Sequence, residues 1–227
     1  MKKIIALVVA LVVTSGLLFA GDFYNGDFQL HGGVGFNSTT ISDLSDSDVI
    51  KATQFNGGLE SWHMFRPITL LGVGFMAGAN IGFGSTKQEM TFFGEPGNQS
   101  GLSLTGNFEV GPAVSLYLFE LLRIGFHFSY NTDFNIDTPY SYSSGSDYLK
   151  YQILGTYSGF STGLQFKAFP EGKVSAVAGW KLVKGLTNSE DVSITSSDAF
   201  FDAGTKTLYY DYSFTQNILY AGVSFNW

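Results

Sequence analysis

The chain has 227 residues, no cysteine, 28 glycines, 16% aromatic and only 14% charged residues, and a formal net charge of −7. The absent cysteine excludes disulfides, thiolate catalysis and cysteine-bound metals, and the acidic balance argues against nucleic acid as an electrostatic partner. The charge content is low for a soluble surface, yet past the N-terminus no stretch is apolar for the roughly 18 residues a membrane-crossing helix needs.

Met1-Lys2-Lys3 opens the chain, Ile4 to Phe19 carries no charge, and Ala20 precedes Gly21-Asp22. This layout predicts a secretory signal peptide over 1–20. Leu18 stands where a small residue is expected before the cut, so the cleavage position stays open, with an uncleaved anchor helix as the alternative. Residues 21–227 show no linker or composition break and are expected to form a single domain. Without Lys2 and Lys3, 10 basic residues face 19 acidic ones.

From there the chain alternates with period two, the signature of strands. Phe28, Leu30, Val34 and Phe36 oppose Gln29, His31, Gly33 and Gly35. Phe55 and Leu59 oppose Gln54, Asn56, Gly58 and Glu60 in 52–62. In 68–84, Leu71, Val73, Phe75, Ala77, Ala79, Ile81 and Phe83 oppose a face made mostly of glycine. Residues 102–118 set Leu104, Phe108, Val110, Val114 and Leu116 against Ser103, Thr105, Asn107, Glu109, Ser115 and Tyr117. Residues 122–131 set Ile124, Phe126, Phe128 and Tyr130 against Arg123, Gly125, His127, Ser129 and Asn131. Residues 150–169 set Leu164 and Phe166 against Tyr157, Gly163, Gln165 and Lys167. Residues 173–184 set Val174, Ala176, Ala178, Trp180 and Leu182 against Ser175, Gly179 and Lys181. The last strand sets Leu219, Ala221, Val223, Phe225 and Trp227 against Tyr220, Gly222, Ser224 and Asn226. Tyr209 to Thr215 fits less cleanly and suggests a bulge. Pro112 cannot donate to a ladder and suggests another.

The connections sort by length. Residues 63–67, 119–121 and 170–172 are short, whereas 37–49, 85–100, 132–149 and 185–207 are long and polar. Short turns at one end and long loops at the other are the pattern of an outer-membrane barrel. In such a barrel the apolar stripe faces lipid, and eight strands enclose a space that side chains nearly fill. The glycine stripe then makes room in a narrow interior. The expected fold is all-β: an eight-stranded antiparallel up-and-down transmembrane β-barrel with short periplasmic turns and four long extracellular loops. The alternative, a soluble barrel binding a ligand inside, requires the apolar faces to point inward.

The final stretch, AGVSFNW, ends on an aromatic preceded by apolar residues at alternate positions. It resembles the C-terminal signature of bacterial outer-membrane barrels, and over its whole mature length the chain resembles the small OmpW/OmpX/OmpA-type barrels. That resemblance implies residence in a bacterial outer membrane among its lipids, and recognition by the barrel-assembly machinery.

On this fold the lumen is expected to carry His31, Glu60, Glu109, Arg123, His127, Lys167 and Lys181, either as a plug or as a gated path for a small solute. Trp62, Phe65, Phe119, Phe169 and Trp227 are expected in an aromatic girdle at the short-turn end. His127 and Ser129 share a face and resemble the His-x-Ser pair of outer-membrane lipid A deacylases, though no acid is clearly placed to orient the histidine; lumen filler is the plainer reading. Asp43, Asp46 and Asp48 lack the glycine and distal glutamate of a calcium loop, leaving a solvated loop or weak divalent-ion binding. Other loop acids include Asp133 and Asp137. Phe92, Phe93, Tyr140, Tyr142, Phe200 and Phe201 are candidate loop contacts, for a small apolar solute as in OmpW-like barrels or for a host or surface ligand. No cofactor and no metal are expected. Passage of a small solute or surface interaction is the favoured function, a closed-lumen adhesin-like protein the alternative, and a lipid-modifying hydrolase a distant one.

Overall fold

The computed structural model describes the backbone of residues 24–42, 47–92, 95–144, 147–196, 204–208 and 211–227, and side chains over 24–40, 51–86, 101–136, 155–185 and 213–227. The segment expected to be a signal peptide lies outside these residues. The strands are β1 (Tyr24–Ser42), β2 (Ser47–Ile68), β3 (Leu71–Phe92), β4 (Glu95–Leu118), β5 (Leu122–Ser144), β6 (Asp147–Ala168), β7 (Val174–Ser196), the short β8 (Gly204–Leu208) and β9 (Asp211–Asn226). Each of β1 to β6 pairs antiparallel with its successor, β6 pairs with β7, β7 with β9, and β9 returns to β1. The ring is therefore closed by eight strands, and β8 adds only to the far end of β7. Closure satisfies the backbone donors and acceptors that an open sheet would leave at its edges.

The alternation in the sequence maps onto the two faces of the wall. Outside lie Phe36, Phe55, Ile81, Phe108, Phe128, Leu219 and their neighbours, Phe55 with 78% of its surface exposed. Inside lie the polar residues and the glycines. At Gly125 a Cβ would stand 3.0 Å from the Trp62 ring, so only a residue without a side chain lets that indole lie across the strand.

The long connections are built differently from irregular loops. Six of the strands run 22 to 24 residues, against the roughly 9–11 a tilted strand needs to cross a bilayer. The polar segments at 37–42, 85–92 and 132–144 continue the ladders, with Ser42 opposite Ser47, Phe92 opposite Glu95 and Ser144 opposite Asp147. These segments carry less of the oily stripe that marks the crossing strands, although their described lumen-side residues Asn37, Thr39, Thr86, Asp133 and Asn135 remain buried.

Pro112 needs no bulge. It faces outward opposite Phe75 of β3, and the β4–β5 register is the same on both sides of it, from Val110↔Tyr130 to Ala113↔His127. The chain gives up two rungs instead. Nor does β9 shift phase: its register with β1 is uninterrupted from Ser42↔Asp211 to Asp27↔Asn226. The irregularity falls across the seam, where Ser158↔Thr187 gives way to Gly159↔Gly185 and β7 accommodates one extra residue, Leu186. At the short-turn end, Phe119 and Phe169 adopt left-handed backbone conformations, with φ of 57° and 54°. Both turns are tight enough to impose this, and both aromatic side chains are turned outward.

Candidate functional site in the lumen

Two layers of buried charge cross the lumen. The first, nearer the short turns, centres on Asp27 of β1. Its carboxylate takes Arg123 Nη1 at 2.5 Å and Lys167 Nζ at 2.7 Å, and all three side chains are fully buried. Gln29 Nε2 donates to Asp27 Oδ1 at 2.6 Å, and Lys167 also donates to Asn226. The second layer centres on Lys181 of β7, held between Glu60 at 2.7 Å and Glu109. His31 Nε2 lies 3.3 Å from Glu60, His127 Nε2 lies 3.8 Å from Glu109, and Ser161 Oγ donates to Glu109 at 2.6 Å. Charges removed from water are costly unless paired and hydrogen-bonded, and here six are paired within a cross-section that eight strands barely keep open.

Trp62 and Gln165 join the layers. The Trp62 indole donates to Glu60 Oε2 at 3.0 Å while its ring lies 5.1 Å from the Arg123 guanidinium. Gln165 accepts from Arg123 at 2.8 Å and donates to Gln29 at 2.7 Å and Tyr220 at 3.3 Å. Beyond the second layer the lumen continues as neutral amides and hydroxyls. Gln54 Oε1 accepts from Asn37 at 2.8 Å and Thr105 at 2.9 Å, and Asn80 donates to Asn107 at 2.8 Å. Outward of the charged layers lies a narrow recess, none of it wide enough to hold a water molecule. At the short-turn end Arg66 covers the Tyr117 ring at 4.2 Å and pairs with Glu171 at 2.9 Å.

The residues expected in the lumen, namely His31, Glu60, Glu109, Arg123, His127, Lys167 and Lys181, all lie there and are buried. Asp27 and Asp133 were missed. Asp27 falls one residue before the expected start of the first strand, and Asp133 two after the expected end of the fifth, in a segment read as loop. Both share the parity of the lumen face, which was the available signal, and Asp133 is 3% exposed.

Trp62 is corrected. It does not belong to the girdle: it is wholly buried in the lumen, because as an even-numbered residue of β2 it shares the face of Glu60. Phe65, Phe119, Phe169 and Trp227 do lie exposed at the short-turn end. Trp227 packs over Gly26, where a Cβ would collide with its ring. Next to it, on the outer wall, His63 is a second surprise: it stacks on Phe75 at 4.6 Å, accepts or donates to Tyr24 Oη, and meets Ser61 Oγ at 3.0 Å.

His127 and Ser129 share the lumen face but do not bond to each other. Ser129 Oγ donates to Met76 Sδ at 3.2 Å, and the nearest acid to His127 is Glu109. Among the described residues no group of three or more His, Asp or Glu has metal-binding geometry. Of the loop candidates, Phe93, Phe200, Phe201, Asp43 and Asp46 lie outside the described residues. Asp48, Phe92, Tyr140 and Tyr142 lie on hairpin backbone whose side chains are not described.

No protein-family model and no curated protein matches this chain. Solved structures do. The outer membrane protease OmpT from Escherichia coli is 11% identical, with 92% of this chain and 98% of that chain covered and a TM-score of 0.51. Ail, the attachment invasion locus protein of Yersinia pestis, in complex with the heparin analogue sucrose octasulfate, is 11% identical over 88% of this chain and 99% of that one, with a TM-score of 0.42. Neisserial surface protein A is 10% identical over 87% and 96%, with a TM-score of 0.41. At such identities a likeness speaks to fold and not to activity, and only the first is close enough in shape to bear on it. Taken with the closed ring, the apolar outer wall and the polar lumen, it establishes the architecture: the chain has the fold of the small bacterial outer-membrane β-barrels, closed here by eight antiparallel strands.

Proposed function

We propose that this is an integral protein of a bacterial outer membrane whose lumen is shut, and that it acts through its projecting hairpins as a surface-interaction protein and not as a channel. The observation that carries this reading is the pair of fully buried ion-pair layers across the lumen. A solute passing down the axis would have to break both, and separating one partner from a buried pair costs about 3–5 kcal/mol. The hairpins support the second half: they hold ordered backbone well beyond what a bilayer requires. The surface partner is a host or environmental ligand met by those hairpins. Outer-membrane lipids surround the wall, the barrel-assembly machinery inserts it, and residues 1–20 direct export.

The test is reconstitution of the folded barrel in planar bilayers and in liposomes. The wild-type protein is expected to show no steady conductance and no uptake of small polar or apolar solutes, whereas alanine at Glu60, Glu109 and Lys181 together with alanine at Asp27, Arg123 and Lys167, which removes both layers, should open a path. Steady wild-type conductance or uptake would overturn the closed-lumen reading. Hairpin truncations that leave adhesion to host or abiotic surfaces unchanged would overturn the interaction reading.

A further inference from the structure

Four carboxylates but only three Lys or Arg side chains are buried among the described residues. Asp27 has Arg123 and Lys167, and Glu60 and Glu109 share Lys181. Asp133 has none: no Lys, Arg or His of the described residues lies within ion-pair distance of it. Its Oδ2 accepts from the Asn131 amide, but its Oδ1 has no donor although it is buried. An isolated buried carboxylate is among the most costly groups a fold can hold.

Asp133 lines the recess at the outer end of the lumen together with Asn56, Asn80, Thr105, Asn107 and Gln216. Asn80, also more than nine-tenths buried, keeps its amide oxygen unpartnered. Across the ladder Asn107 stands directly opposite Asp133. The oxygens of Asn56 and Thr105 converge on Gly82, the residue between them in the wall. The recess thus combines one unpaired negative charge with amide and hydroxyl oxygens, and contains neither sulfur nor imidazole. It is too narrow for water, yet hard cations draw oxygen ligands to about 2.3–2.6 Å, closer than the roughly 2.7–3.0 Å of a hydrogen bond to oxygen.

We propose that this recess binds a hard metal cation, calcium in the first instance, against the Asp133 carboxylate. An all-oxygen set with a single carboxylate selects against zinc and copper, which favour nitrogen and sulfur. It also suits calcium better than magnesium, which keeps its waters and demands strict octahedral geometry. The ion gives the Asp133 carboxylate the cationic partner that the chain itself does not supply and ties β4 to β5 just below their projecting hairpin.

The experiment is calorimetric titration of calcium chloride into the folded chain in detergent micelles. Saturable binding of one ion per chain is expected. Asp133→Asn should weaken it by more than about ten-fold, and Asn107→Asp, which adds a carboxylate opposite the first, should tighten it. A control carrying Asp43→Asn, Asp46→Asn and Asp48→Asn should bind like the wild type. Absence of saturable binding would overturn the proposal, as would binding lost in that control or unchanged in Asn107→Asp. So would an infrared band of a protonated carboxyl at neutral pH that Asp133→Asn removes, since a proton would then hold the place of the ion.

Discussion

The two charged layers of the lumen have opposite stoichiometry. Nearer the short turns, one acid serves two cations: Asp27 between Arg123 and Lys167. In the middle, one cation serves two acids: Lys181 between Glu60 and Glu109. In each layer the odd member is the one whose loss leaves like charges facing each other in a dry interior, while either of the paired members can go and leave an intact ion pair. The comparison teaches that residue type matters less here than position in the triad. A lysine is central in one layer and dispensable in the other.

The largest expected effects break the centres. Lys181→Met strands Glu60 and Glu109, and Asp27→Asn strands Arg123 and Lys167. Each should cost about 3–5 kcal/mol, measured by urea titration of the folded chain in detergent micelles. Adding Glu60→Gln and Glu109→Gln to Lys181→Met should recover most of the loss, because a neutral polar layer carries no stranded charge. If it does not, the layer acts through shape and not through charge.

A paired member should matter less. Lys167→Met leaves Asp27 with Arg123 and should cost about 1.5–3 kcal/mol, the worth of hydrogen bonds to a charged group. A loss equal to that of Asp27→Asn would erase the distinction between the two layers. Smaller still is the bridge between them. Gly125→Ala pushes a methyl against the Trp62 ring, which is pinned by Glu60 on one side and Arg123 on the other. About 1 kcal/mol of destabilisation is expected, seen as a lower urea midpoint together with altered indole fluorescence. The smallest effect lies outside both layers. Phe119→Gly relieves a left-handed backbone strain of about 1 kcal/mol while removing an aromatic anchor, so the urea midpoint should move little.

Most of the membrane-crossing half of this fold was legible in the sequence. Alternation exposes the two faces of a wall wherever one side is oily and the other is not, and this placed Phe126 outside and His127 inside without any structure. It failed where that contrast fades. Past Ser85 the apolar stripe gives out and the ladder continues unmarked. Past Asn131 a weaker alternation persists, Phe134 and Ile136 against Asp133 and Asn135, but the polar composition of the segment outweighed it and left Asp133 in a loop. Trp62 was misplaced because its residue type outweighed its parity, a choice that the neighbouring Glu60 should have overruled. Which acid meets which base was not legible, since a strand pattern fixes the face of a residue and not its height against strands far away in the chain. Asp27 and Lys167, for example, are brought together only by closure of the ring.

The overlong strands also determine how a ligand would be met. Ten or more residues of paired backbone beyond the crossing segment, at about 3.3 Å per residue and a tilt near 45°, raise a stockade some 25 Å above the acyl chains. Because its main chain is already hydrogen-bonded, docking there freezes few additional torsions. A ligand would be met on paired strands held clear of the acyl chains.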